Sequence, residues 1–200
     1  MSIRFSPTAL MLFGLSTIFT VACNSEESRP PGIPLNPAAQ QPENTDSSLH
    51  FEAPAEWNNE SPSSSMRLAQ YRLPRAQNDP EDAELVVYHF GGGGGSVQAN
   101  VNRWISQFTN ADGSSARESA DVSERDSNGL HFTVVDVRGT YNQPRGPMMA
   151  ETDAKTSFRM MAVVAEAQGG PWFFKLTGPE NTVSQWEDSF NSFLDTLRVE

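Results

Sequence analysis

The chain contains a single cysteine, Cys23, in 200 residues. It cannot close an internal disulfide, so any folded body in it is held by packing and hydrogen bonding alone. Lysine is almost as scarce: only Lys155 and Lys175 occur among the 14 Lys and Arg residues. Against 25 Asp and Glu they leave a formal net charge of −11. Such a chain repels phosphate backbones, which excludes nucleic acid as a partner, since most affinity for that polymer comes from neutralising phosphates. The three histidines, His50, His89 and His131, show neither an HExxH pattern nor paired spacing. Isolated polar residues on strand faces are the expectation, not a zinc site. A G-x-S-x-G elbow and a Walker A lysine are both missing. Asp79-Pro80-Glu81-Asp82-Ala83-Glu84 lacks the sixth-position glycine and the terminal bidentate glutamate of an EF-hand loop and reads as a solvated acidic hairpin tip. No cofactor, no metal and no assembled catalytic set are expected.

Long apolar runs are also lacking, with one exception at the N-terminus. Arg4 precedes a run from Ala9 to Ala22, which Cys23 follows directly. The run suits a signal-peptide core and is short for a helix crossing about 30 Å of hydrocarbon. Thr20-Val21-Ala22-Cys23 resembles the bacterial lipobox, with Thr20 in place of the usual leucine. The resemblance implies cleavage after Ala22 and acylation of Cys23, by diacylglycerol and palmitate-type chains, each buried CH₂ contributing about 0.8 kcal/mol of anchoring. Residues 1–22 are then a signal peptide. Residues 23–48, with prolines at 30, 31, 34, 37 and 42, form an extended tether. An ordinary secretory leader and an uncleaved inner-membrane anchor are the alternatives. The expected location is the bacterial cell envelope, facing the periplasm or on the outer membrane.

Residues 49–200 read as one globular α+β domain, large enough to bury about 70% of its unfolded surface. Met66–Leu73 and Glu84–Phe90 have strand character. After the glycines, Val97, Val101, Trp104, Ile105 and Phe108 fall on one helical face behind a Ser96 N-cap. Asn128-Gly129 predicts a hairpin between Ser119–Arg125 and Leu130–Tyr141, the latter ended by Gly139 and the Pro144–Pro147 loop. Ser157–Ala167 reads as a central strand covered on both faces, followed by Trp172–Thr177. A final helix starts near Asn181 or Thr182, with Val183, Trp186, Phe190, Phe193, Leu194 and Leu197 on one face. Short links force antiparallel neighbours, so an antiparallel sheet flanked by helices is expected.

That element order, with Phe173-Phe174-Lys175-Leu176-Thr177-Gly178 and Ser189-Phe190-Asn191-Ser192-Phe193-Leu194 near the end, resembles the PsbP-like α/β/α sandwich. Asn100–Phe108 after a glycine-rich loop is similar to a group of uncharacterised bacterial lipoproteins. The resemblance implies a fold and a location, and brings no catalytic residues.

Gly91–Gly95 between strand and helix raises the question of a phosphate cradle. Neither nucleotide motif fits, because no lysine follows and Ser96 stands where a dinucleotide fingerprint needs glycine. Consecutive glycines are also entropically expensive to order. A flexible connector is the first expectation, and an anion contact through Gly94, Gly95 and Ser96 the second. Trp172 and Phe173 on a half-open strand face, and the Tyr141–Met149 loop, are candidate partner patches. The leading functional expectation is a lipid-anchored, non-enzymatic interaction or accessory module with an envelope protein as partner. The rival is a small-ligand (anion) binding protein or hydrolase with a pocket between the glycine loop, His89 and the Arg145 loop.

Overall fold

The computed structural model describes residues 49–144 and 152–199. Ala22, Cys23, the tether and the Arg145–Met149 stretch lie outside the described residues. In chain order the elements are β1 (Leu49–His50), β2 (Asn58–Glu60), β3 (Ala69–Leu73), β4 (Ala83–His89), α1 (Val97–Ile105) and β5 (Phe108–Thr109). There follow β6 (Asp121–Ser127), β7 (Leu130–Pro144), β8 (Thr152–Glu166), β9 (Trp172–Pro179), α2 (Glu180–Gln185), α3 (Glu187–Leu194) and β10 (Arg198–Val199). An eight-stranded sheet runs β2-β3-β4-β9-β8-β7-β5, with β6 also paired to β7, and β1 pairs separately with β10. Every pairing is antiparallel. The fold is α+β, as the sequence predicts.

The strand chemistry accounts for the layers. Phe158–Ala165 of β8 is buried at every position, because α1 packs over one face of the sheet and α2–α3 over the other. One core joins Leu85, Val87, Phe174, Leu176, Val163 and Phe132 to Phe190, Phe193 and Leu194 of α3. The other joins Val135, Met160, Ala162 and Phe173 to Val101, Trp104 and Ile105 of α1. Each fully buried side chain of this size contributes about 1.5–3 kcal/mol.

Several boundaries differ from the sequence reading. The helix ends at Ile105, not Phe108. Phe108 keeps its apolar partners as a strand residue opposite Tyr141, which is why the helical spacing runs on past the helix. Gly139 does not end β7. It forms a register shift within a 15-residue strand, with φ +141° and no room for a Cβ beside the Thr109 carbonyl. The last helix is broken at Trp186, whose indole Nε1 donates to the Pro74 carbonyl at 2.8 Å. Asp79, read as part of a solvated tip, instead accepts from the Thr182 backbone (2.8 Å) and hydroxyl (2.6 Å), capping α2 from the β3–β4 loop.

One polar cluster lies inside the α2–α3 layer. Arg159 of β8 is 1% exposed. Its guanidinium meets Asp136 of β7 through Nε–Oδ1 (2.9 Å) and Nη2–Oδ2 (2.6 Å). Nη1 reaches Glu187 at 2.6 Å and Ser184 at 3.0 Å. Burial opposes the charge, but these hydrogen bonds outweigh it and raise the proton affinity of Arg159 above the ordinary value. The cluster ties the α2–α3 junction to the sheet. Asp136→Ala is expected to lower unfolding free energy by about 1–3 kcal/mol, because it leaves two donors of the buried guanidinium unmatched while Glu187 still offsets its charge. Adding Arg159→Met to it should recover most of that loss in chemical denaturation. A single-variant loss below about 1 kcal/mol would contradict the assignment.

Candidate functional site

Helix α1 has nine residues, about 14 Å, and is too short to cover its whole sheet face. It packs over β7, β8 and Phe173 of β9, leaving β3, β4 and the far end of β9 without a helical cover. On that uncovered area the inward-facing side chains are polar where an apolar layer would otherwise be needed. A trough of about 510 Å³ results, floored by Val86, Lys175 and Thr177 and walled by Phe158 and Tyr141.

Ion pairs define its walls. Glu60 of β2 accepts from Arg72 Nε at 2.6 Å and from Gln70 Nε2 at 3.0 Å. Arg67, from the β2–β3 connection, lies across the sheet and donates to Gln70 Oε1 and Glu84 Oε1, both at 2.9 Å. Lys155 on the β8 arm reaches Glu81 of the β3–β4 loop at 2.6 Å. Asp82 takes a backbone N–H from Arg75 (2.9 Å) and stands 4.0 Å from Arg72. These pairs are partly exposed, and each contributes little to stability. Their effect is to fix the side chains that shape the trough.

Lys175 differs from the other cations. Its ammonium donates to Gln107 Oε1 at 3.0 Å and to the Tyr141 hydroxyl at 3.3 Å, and lies 5.2 Å from the Tyr141 ring. Among the described residues it has no carboxylate partner. Burial lowers its pKa from 10.5 to about 8, Arg103 and Arg67 adding repulsion against a partial offset from Glu84. Burial likewise pushes the Tyr141 phenol up to about 12, so it stays a neutral hydroxyl beside the amine. Two residues along the same strand face, the Thr177 hydroxyl is buried with no hydrogen-bond partner. The trough therefore holds one cation with no carboxylate in direct contact and, buried beside it, one unused hydroxyl.

The residues singled out in the sequence lie elsewhere. Gly94, Gly95 and Ser96 sit at the opposite end of α1. The Ser96 hydroxyl accepts from Ala99 N at 3.2 Å as the helix N-cap. The Asn100 amide donates to the carbonyls of Gly94 (2.8 Å) and Ser96 (3.0 Å). A Cβ on Gly94 would stand 2.7 Å from the Phe173 ring, so glycine there permits a close approach. The shallow hollow beside Gly95 and Ser96 includes the Glu166 carboxylate. His89 stacks on Trp172 at 4.4 Å, and His131 pairs with Asp126 at 2.8 Å, so they do not converge. Among the described residues no group of three or more His, Cys, Asp and Glu could hold a metal. Trp172 and Phe173 form no exposed patch: α1 and the α2–α3 layer bury both faces of β9 there. Among the described residues the exposed large apolar side chains are Met66, Leu68, Phe90, Val122 and Val199. Lys175, Thr177, Tyr141, Arg67 and Glu84 were not singled out as site residues. The available signal was a lysine, one of two in the chain, inside the apolar run Trp172–Leu176.

No family model matches the chain, and no curated protein matches it. Similar solved structures include a Pseudomonas aeruginosa protein of unknown function (14% identity, 80% of this chain and 85% of that one, TM-score 0.41). Cyanobacterial PsbP (CyanoP) from Synechocystis is 12% identical over 82% of this chain and 99% of its own, with TM-score 0.43. LpqN of Mycobacterium tuberculosis, involved in cell envelope biogenesis, is 15% identical over 78% and 87%, with TM-score 0.42. Likenesses at this level carry no statement about the trough or its use.

A desolvated amine without a counter-charge costs stability at neutral pH. The unfolded chain keeps the Lys175 proton up to about 10.5 and the folded chain releases it near 8, so stability rises with pH between those values. The tyrosines raised by burial, Tyr141 among them, oppose the trend only above pH 10. Lys175→Met is expected to stabilise the fold by about 1–3 kcal/mol at pH 7. It should also remove the pH 8–10 rise in melting temperature. An unchanged slope in the variant would contradict this account of Lys175.

Proposed function

We propose that this is a lipid-anchored protein of the bacterial cell envelope whose folded domain binds a small polar ligand in the trough, without catalysing a reaction on it. The supporting observation is the pairing of pre-arranged walls with unused hydrogen-bonding capacity on the floor. Arg67, Arg72 and Lys155 are held by Glu84, Glu60 and Glu81, whereas Lys175 and Thr177 retain free valences. Pockets that bind small molecules combine a fixed concave shape with a few such convergent groups. Burial of Trp172 and Phe173, which removes them as a docking patch, supports the binding role over a docking role through those aromatics.

The envelope location is supported by the lipobox-like Thr20–Cys23 and the proline-rich stretch after it. It is compatible with the described residues, among which no helix is long and apolar enough to cross a membrane. Ala22 as the cleavage position and Cys23 as the acylated residue belong to this proposal.

Two measurements test it. In cells, detergent-phase partitioning should follow Cys23: the wild-type protein enters the detergent phase and Cys23→Ser stays in the aqueous phase. Equal partitioning of the two forms would overturn the anchor. For the trough, a mixed set of neutral, cationic and anionic polar fragments should shift the backbone amide signals of Glu84, Val86, Lys175 and Thr177. The absence of any fragment that moves them would overturn the ligand site.

A further inference from the structure

We infer that the ligand is a small polar monocarboxylate, with its carboxylate seated on the Lys175 ammonium. The inference rests on the reading of the trough as a ligand site and specifies what it takes.

Hydrogen-bonding capacity is the first argument. A lysine ammonium has three N–H donors. Gln107 and Tyr141 accept two of them, and both acceptors are neutral. The third has no acceptor among the described residues. The Thr177 hydroxyl is a second unmatched donor, and buried donors in native folds are almost always matched by protein, water or ligand. Residues 175 and 177 occupy one face of β9, so their backbone positions are about 7 Å apart. An acid group in the trough can accept the third Lys175 donor, while the Thr177 hydroxyl lies buried behind it.

Charge count is the second. Every other cation lining the trough already has a carboxylate within 4.0 Å: Arg67 has Glu84, Arg72 has Glu60, and Lys155 has Glu81. With Asp82 the lining carboxylates number four against four cations, so the trough is neutral as a whole, and Lys175 is the one cation in it with no carboxylate within 4.0 Å, a local seat for a single negative charge. A phosphate dianion or polyphosphate would place further negative charge among Glu60, Glu81, Asp82 and Glu84, with no cation left to offset it. The walls then define the rest of the molecule. Apart from Ala83, Val86 and Phe158 they are amide, hydroxyl and charged groups, which suit a hydroxylated or amino-bearing body and not an acyl chain. The volume of about 510 Å³ exceeds what a bare carboxylate needs and accommodates a molecule of amino-acid or sugar-acid size.

The contact is pH-sensitive through one group. Facing Lys175 are Arg67 before β3, Glu84 and Tyr88 on β4, Arg103 on α1, Tyr141 on β7, and Lys155 on the β8 arm. Carboxylates and guanidiniums in general titrate well outside pH 7–9. Tyr88 and Tyr141 are both held above the ordinary phenol value by burial. Lys175, at about 8, is the group that loses its charge in that window. Affinity for a carboxylate should therefore fall about tenfold from pH 7 to pH 9.

The test is titration of the folded protein with acetate, L-serine and D-gluconate, and with D-glucitol as the carboxylate-free partner of gluconate, read by backbone amide shifts and calorimetry. Serine or gluconate is expected to bind saturably and to move the Lys175 and Thr177 amides, at least tenfold more tightly than glucitol. Which of the two binds better separates an amino-acid body from a sugar-acid body. Lys175→Met should abolish the difference from glucitol, and Lys175→Arg should restore part of it while removing the loss at pH 9. Glucitol binding as tightly as gluconate, or gluconate binding unchanged in Lys175→Met, would overturn the carboxylate assignment and leave the trough a ligand site. The same holds if none of the three carboxylates binds while other polar fragments still shift the trough amides. Silence from every fragment would overturn both.

Discussion

Burial of β8 from Phe158 to Ala165, and of β9 up to the uncovered end that carries Lys175, sets the terms for the charged side chains of these strands. A sheet strand sandwiched between helix layers has no water to satisfy a charge, so each charged residue there needs partners in the protein or destabilises the fold. Three cations occupy these strands, of which Lys155, on the partly exposed β8 arm, is paired with Glu81. Arg159, on the α2–α3 side, is matched by two carboxylates and a hydroxyl and fastens the helix layer to the sheet. Lys175, on the α1 side, is matched only by an amide oxygen and a phenol. The same structural demand is met at one position and left open at the other.

The open position follows from α1. The helix stops at Ile105 because the chain turns into β5 to pair with β7, and the β3–β4 end of the sheet is left without a cover. The polar side chains of Gln70, Arg72 and Glu84, with Arg67 laid over them, take the place of a missing helix. They protect the sheet from water less completely than apolar packing would, and they create a concave surface of fixed shape. A protein that tolerates a costly amine at the bottom of such a surface fits the common trade between stability and function.

The sheet and its two covering layers were legible in the sequence because the signals were strong and local. Alternating or continuous apolar runs marked β4, β8 and β9, Asn128-Gly129 marked the β6–β7 hairpin, and the Ser96-capped apolar face marked α1. The trough was not legible, since its residues come from β2, β3, β4, β7, β8 and β9, and the short stretches that hold two of them, such as Glu81-Asp82 and Lys175-Leu176-Thr177, carry no ligand-binding motif. Their meeting is a property of strand order, above all the insertion of β9 between β4 and β8, which sequence spacing does not reveal. The glycine run attracted attention as a motif, yet at Gly94 its role is to admit the Phe173 ring. Lys175 carried a faint signal, a charge within an apolar strand, that could equally have marked an exposed edge.

The scarcity of lysine makes the decisive observation accessible. In protein labelled at lysine Nζ, Lys155 and Lys175 yield two side-chain signals whose titration can be followed by NMR. The account predicts a midpoint for Lys175 near 8, moving upward when a carboxylate occupies the trough. A Lys175 midpoint at or above 10.5 would mean that the amine is solvated or already paired, and would contradict the trough as described.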